Sequence, residues 1–406
     1  MKLLYLLHFY QPDFQFFHTL EHVYKSSYKE IFRIVKNSPN GKIVVNITGS
    51  TLKLFERWGV GELAKDLQEL YNLNKIEFTA TAFTHALLNY TSPTQTIRQI
   101  TRDITTLREM IDPNIQPQFL YPPEMFVSPK VVEAAKSCGL KGVFISTNSL
   151  PKPHKYKSAF SYSNMTLLRR NTNISRWCEN HGIFSRAQLD QVIKQHNFDI
   201  NRPMVITHDA EIIGHHFKDK IKLFEELMND PQIEWYHTTD FIDINEIQAI
   251  NTLHEASWEK MPVRGKEIDP HWRNDKNLVH KSMWELTHYV VETVESLQNI
   301  PQYPKLQDQL DYIQYSCQYW WASSYPFWSA EIVVNTMWRW FKLNAEIYQA
   351  MKKQKDIRAD IFLRKTQQLI FKILNKLATY EAKGWHTKNI AYYDKYLLPM
   401  KKKGVI

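Results

Sequence analysis

Two acidic residues, Glu124 and Asp209, each follow a short apolar run closely enough to be delivered at a strand end. The first stands in Phe119-Leu-Tyr-Pro-Pro-Glu124-Met, the second in Met204-Val-Ile-Thr-His-Asp209-Ala-Glu211-Ile-Ile-Gly214-His-His216. Apolar and β-branched residues that give way abruptly to polar ones mark a buried parallel strand ending at its carboxyl edge, where α/β folds carry their chemistry. Two carboxylates on one rim are the minimum equipment for cleaving a glycosidic bond. His8, His85, His215 and His216 complete the set of candidates. Neutral imidazoles can hydrogen-bond sugar hydroxyls, whereas Asp and His together can instead ligate a divalent metal. The sugar reading is preferred, because a metal-water mechanism has no use for paired carboxylates or for Tyr121-Pro122-Pro123-Glu124. His208 is read as a packed histidine.

The elements that must position these groups alternate. Strands are predicted at Leu3–Leu7, Ile43–Ile47, Ile76–Ala80, Phe119–Tyr121, Gly142–Ile145, Met204–Thr207 and Glu234–His237, with a weaker one at Thr166–Leu168. Helices are predicted at Leu20–Val35, Leu52–Tyr71, Thr94–Ile111, Pro129–Ser137, Arg186–His196 and Lys218–Met228. Strict alternation predicts a parallel sheet with right-handed crossovers. His8, Thr48, His85, Glu124, Ser146, Asp209 and Thr238 follow the strands in turn, and capable side chains after nearly every strand suit a barrel whose strand ends share one mouth. An open doubly wound sheet would show a glycine-rich phosphate loop, and this chain has 11 glycines and none of that kind. The fold class expected is α/β: an incomplete (β/α)7 TIM-like barrel over residues 1–250, an irregular loop over its mouth at 251–280, and a helical region at 281–406 that completes the cleft.

At 406 residues and 43% hydrophobic, the chain can bury a sizeable core. The charge of +9 is scattered apart from Lys401-Lys402-Lys403, which argues for solvated surface rather than a nucleic-acid partner. Cys138, Cys178 and Cys317 have neither disulfide nor zinc spacing. The opening Met-Lys-Leu-Leu-Tyr-Leu-Leu is interrupted by His8 and reads as a first strand rather than a signal peptide. No run reaches the roughly 18 apolar residues of a membrane span, and a cytoplasmic protein is expected. Twelve tryptophans are numerous for the core, and their flat faces suit the apolar faces of sugar rings.

These stretches together resemble glycoside hydrolase family 57. His8-Phe9-Tyr10-Gln11-Pro12 is similar to the family's opening motif, and Ala80 to Leu87 to the second, with His85 as its histidine. Tyr121-Pro122-Pro123-Glu124 is similar to the third, Asp209-Ala210-Glu211 with Gly214, His215 and His216 to the fourth, and Ser316-Cys317-Gln318-Tyr319-Trp320-Trp321 to the fifth. Leu168-Arg169-Arg170-Asn171 resembles the strand-borne arginine segment, with Asn171 where an aspartate is common, and the second motif lacks the glycine often found before its histidine. The resemblance implies a retaining hydrolase or glucanotransferase acting on α-1,4-glucan or maltooligosaccharide, with Glu124 as nucleophile and Asp209 as acid/base. It implies substrate binding by His8, Gln11, His85, Arg170, Glu211, His215, His216, Trp320 and Trp321, and neither metal nor cofactor. The competing readings are a metal-dependent polysaccharide deacetylase using Asp209 and the histidines, and a non-catalytic carbohydrate-binding barrel. The oligomeric state is left open.

Overall fold

The computed structural model describes residues 1–151, 157–181, 185–196, 199, 201–258, 261–263, 266–268, 271–274, 276–323 and 327–392. Lys401–Lys403, and Gly265 and Pro270 of the expected irregular loop, lie outside them. The chain divides into two units, Met1–Trp258 and Glu259–Ile406.

Among the described residues the first unit carries ten strands in chain order: β1 (Lys2–Phe9), β2 (Ile43–Ile47), β3 (Ile76–Phe78), β4 (Phe119–Leu120), β5 (Gly142–Ile145), β6 (Ala159–Tyr162), β7 (Met165–Arg169), β8 (Met204–Asp209) and the two-residue strands β9 (Glu234–Trp235) and β10 (Gln248–Ala249). Parallel ladders join β3-β2-β1-β8 and β4-β5-β7. Between those two groups lie only single parallel bridges, Ala80 with Leu120 and Arg170 with Val205. Seven parallel strands therefore follow one another as an incomplete (β/α)7 barrel, with two seams held by a bridge instead of a ladder. β6 was not expected; it runs antiparallel to β7 and stands outside the ring of seven.

The period-two alternation of strands sorts the side chains. Leu4 and Leu6 of β1 join Val44, Phe119, Tyr121, Phe144, Leu168 and Val205 in an inner cluster, while Leu3, Tyr5, Leu7 and Phe9 belong to the outer layer packed against the helices. The run Glu234–Trp235 pairs only with Lys2 and Leu3, at the start of β1, so β7 takes the seventh place and delivers Arg170. Thr238 accordingly does not join the mouth. It opens the short helix Thr238–Asp243, donating its backbone N–H to Glu77 Oε2 at 2.6 Å, and Phe241 of that helix fills the inner cluster.

The helix expected over Leu52–Tyr71 is two, Gly49–Trp58 and Leu63–Asn72, because Gly59 takes a left-handed φ of 61° and caps the first. The helix expected over Leu20–Val35 is a compound: Phe17–Val23, a π-helical turn Tyr24–Tyr28, and Lys29–Asn37.

The second unit is helical, with Leu278–Glu295, Tyr303–Ile313, Cys317–Trp320, Ala330–Lys353, Ala359–Ala382 and Trp385–Tyr392. Tryptophans build its core: Trp284 stacks on Tyr319 at 3.9 Å between ring centroids, and Trp340 Nε1 donates to Gln318 Oε1 at 2.9 Å. No helix among the described residues is long and apolar enough to cross a membrane.

Candidate active site

The carboxyl ends of β1, β2 and β3 set a row of polar groups into the top of the barrel. His8 donates from Nδ1 to Asn46 Oδ1 at 2.5 Å, since an amide oxygen can only accept, and Asn46 Nδ2 donates to Thr79 Oγ1 at 2.8 Å. That bond leaves His8 Nε2 as an acceptor. Burial holds the His8 imidazole down at about 4, so it is neutral near pH 7. Tyr121 stacks on His8 at 5.7 Å and shares a 2.8 Å hydrogen bond with Thr207 Oγ1.

Glu124 lies in the one-turn 3₁₀ segment Pro123–Met125, and its backbone is left-handed, with φ 58° at Glu124 and 45° at Met125. His85 shares this conformation, φ 62°. Such residues each cost about 1–3 kcal/mol and persist where surrounding structure over-determines them. Here Trp258 is the clamp: its backbone N–H donates to Glu124 O at 3.2 Å and its indole Nε1 to Glu124 Oε2 at 3.0 Å. Val127 and Ala256 exchange backbone hydrogen bonds beside it. His85 Nδ1 stands 3.9 Å from Glu124 Oε1. A carboxylate so near would favour an imidazolium, yet burial, reinforced by His8, drives the His85 pKa well below its usual value, and the ring is neutral. It lies 5.0 Å from the His8 ring and stacks on Tyr10 at 4.2 Å.

Asp209 is the last residue of β8 and sits opposite His8 in the ladder. Alternation turns Thr207 and Asp209 inward and His208 outward, where His208 Nε2 meets the Tyr5 hydroxyl at 2.7 Å in the outer layer. Burial raises Asp209 to about 6, against the opposing charges of His216 and Arg170. Glu211 is raised further, to about 8, by burial and by the Asp209 charge. β8 ends at Asp209 and a 3₁₀ turn follows, so Glu211 does not continue the inward face; its Oε1 accepts from Gln11 Nε2 at 2.9 Å and from the Tyr28 hydroxyl.

Two series of neighbours lie between the carboxylates. One runs from Asp209 to His8, opposite it in the ladder, and on to His85 and Glu124. The other passes through Arg170, whose guanidinium bonds Glu179 at 3.1 Å and lies 5.0 Å over the Trp258 ring. Arg170 is 1% exposed, and its Nε has no hydrogen-bond partner. Glu124 and Asp209 are only half-buried while His8, His85, Arg170 and Glu211 around them are buried. That contrast is what a substrate-facing pair requires.

Each of the other candidates has neighbours of its own. Gln11 spends its amide on Glu211 and accepts from Gln15. His215 sits 5.0 Å from both His22 and His216, its buried Nδ1 without a partner. Trp320 rests against His271 and Trp272, and Trp321 against Tyr315, all within the helical unit. Sequence reasoning missed the contacts of Tyr10, Tyr28 and Asn46, of which Asn46 left a signal as an inward position one step before a strand end; Trp258 falls in the loop expected over the mouth, though its bonds to Glu124 were not foreseen. No group of three or more His, Cys, Asp or Glu side chains among the described residues is arranged to hold a metal ion.

Residues 6–256 match the model of glycosyl hydrolase family 57. The 4-α-glucanotransferase of Thermococcus litoralis is similar in structure, with TM-score 0.64 and 13% identity over 79% of this chain; the chain spans 56% of that protein. The branching enzyme of Pyrococcus horikoshii gives 0.67 and 12%, covering 93% of this chain and 96% of its own. The α-amylase of Thermotoga maritima gives 0.63 and 12%, covering 93% and 99%. At such identities the likeness is one of fold. No curated protein sequence matches.

Proposed function

The chain belongs to glycosyl hydrolase family 57, and from that premise we propose that it is a retaining enzyme acting on α-1,4-glucans by double displacement, with Glu124 as nucleophile and Asp209 as acid/base. The observation that supports the reading is the pair of partly exposed carboxylates, Glu124 beside His85 and Trp258 and Asp209 opposite His8, with Arg170 acting on Asp209 and lying over the Trp258 ring. In such a mechanism the carboxyls stand about 5–5.5 Å apart. Glu124 attacks the anomeric carbon as the glycosidic C–O bond breaks, and Asp209 gives its proton to the departing oxygen. Asp209 then takes a proton from water or from an incoming sugar hydroxyl, whose oxygen displaces Glu124 with the original configuration restored.

The neighbours have matching tasks. Trp258 and the left-handed backbone hold Glu124 in one attitude, consistent with the roughly 0.5 Å tolerance of such constellations. Neutral His8 offers Nε2 as acceptor to a sugar hydroxyl. Burial keeps a proton in the Asp209–Glu211 pair above the ordinary carboxyl range. The 4-α-glucanotransferase, branching enzyme and α-amylase that share the fold support an α-glucan substrate. Product analysis on maltooligosaccharides tests this: the parent yields shorter or redistributed α-glucans, and Glu124→Gln and Asp209→Asn do not. Near-normal turnover by either variant overturns the assignment.

A further inference from the structure

A π-helical turn is an uncommon interruption, kept where its altered geometry serves something. The turn Tyr24–Tyr28 bears on the segment that follows β8 at three points. Ser27 Oγ donates to Ala210 O at 3.0 Å, the Tyr28 hydroxyl donates to Glu211 Oε1, and the Ser26 carbonyl oxygen comes so close to Gly214 that a Cβ there would lie 2.0 Å from it. Gln11 Nε2 meets the same Glu211 oxygen, so that carboxyl is held from two elements, two residues from Asp209.

We propose that Tyr28 is a positioning residue for the reaction: delivered by the π-helical turn, its hydroxyl fixes Glu211 and, through it, the turn that presents Asp209 and the proton that the two carboxyls share. This rests on the reading of Asp209 as acid/base. The titratable groups facing Glu211 are Tyr28 from the π-turn and Asp209 from β8, with neutral Gln11 from the loop after β1; Asp209 in turn faces His216 and Arg170. Burial and the Glu211 charge hold the Tyr28 phenol well above its usual pKa, so it remains a donor through the working range. A donated hydrogen bond favours the ionised form of Glu211, and its loss raises the pKa of that carboxyl.

The test is Tyr28→Phe in the full chain. The expected result is a fall in kcat of about tenfold with little change in KM, the size of one hydrogen bond, and a high-pH limb of kcat/KM displaced upward by about half a unit or more. Tyr24→Phe removes a hydroxyl of the same turn that bonds Asp66 instead, and leaves the limb in place. A ¹³C-carboxyl NMR titration of Glu211, assigned by the signal lost in Glu211→Gln, reads the same shift without turnover. An unmoved Glu211 midpoint together with an unmoved limb overturns the proposal. A moved midpoint in a protein that turns over no α-glucan supports the Tyr28–Glu211 link and overturns the function proposed above. Should Tyr28→Phe not fold, Glu211→Gln keeps the oxygen that Tyr28 bonds and cannot titrate; a limb identical to the parent's then overturns the proposal.

Discussion

Gly214 offers a quantitative test of how the turn after β8 is built. Its φ is 90°, and an added Cβ would lie 2.0 Å from Ser26 O and 3.1 Å from two carbons of Ile221. Comfortable contact needs about 3.5 Å, so Gly214→Ala must move one backbone past the other by about 1.5 Å. The unfavourable φ costs about 1–2 kcal/mol and overpacking about 1–3 kcal/mol more. Gly59→Ala is the control: φ is 61° there and nothing lies within 4 Å, so only the conformational cost of about 1–2 kcal/mol applies. At about 2–4 °C per kcal/mol for a unit of this size, scanning calorimetry should show Gly214→Ala melting roughly 4–20 °C below the parent and Gly59→Ala roughly 2–8 °C below. Turnover measured well below both transitions should fall in Gly214→Ala alone, because the displaced π-turn carries Tyr28 away from Glu211. Equal melting of the two variants would refute the claim that Ser26 and Gly214 are in contact.

Asp209 and Glu211 lie above the usual carboxyl range, at about 6 and about 8, chiefly through burial. An acid that must be protonated works below its pKa, so kcat/KM should hold on the acid side of that pair and decline as pH rises from about 6 to about 8; a decline complete by pH 5 contradicts the shift. Arg170→Met removes a positive charge that draws Asp209 down, and the same profile should move to higher pH. Trp258→Phe keeps a ring for Arg170 and removes the indole donor from Glu124. Loss of a hydrogen bond to a charged group, about 1.5–3 kcal/mol, predicts a fall in kcat of roughly tenfold or more measured well below the melting transition, and parent-like kcat would remove Trp258 from the site.

The barrel was legible because its signals are local. Buried strands write continuous apolar runs, and each run ends where the backbone reaches the rim, which also made the outward turn of His208 and the inward turn of Asp209 a matter of parity. β6 escaped because Ala159–Tyr162 is four residues long and mixes polar with apolar types, and Glu234–Trp235 misled because a short apolar run does not disclose which strand it pairs with. Strand parity alone would put Glu211 on the face of Asp209, and the 3₁₀ turn that follows β8 breaks that parity. The contacts of Trp258 with Glu124 span 134 positions and those of Tyr28 with Glu211 span 183, and the π-turn that makes the second possible leaves helical spacing almost undisturbed. Such non-local bonds follow from the folded arrangement and from no pattern along the chain.

Double displacement passes through a covalent glycosyl-enzyme ester, which can be trapped. Incubation with a slow fluorinated α-glucosyl substrate, then protease digestion and mass spectrometry, should find one glycosyl group on the peptide containing Glu124, with products of retained configuration released on reactivation. A glycosyl group on Asp209 or Glu211 would move the nucleophile away from Glu124, and inverted product with no adduct would exclude double displacement.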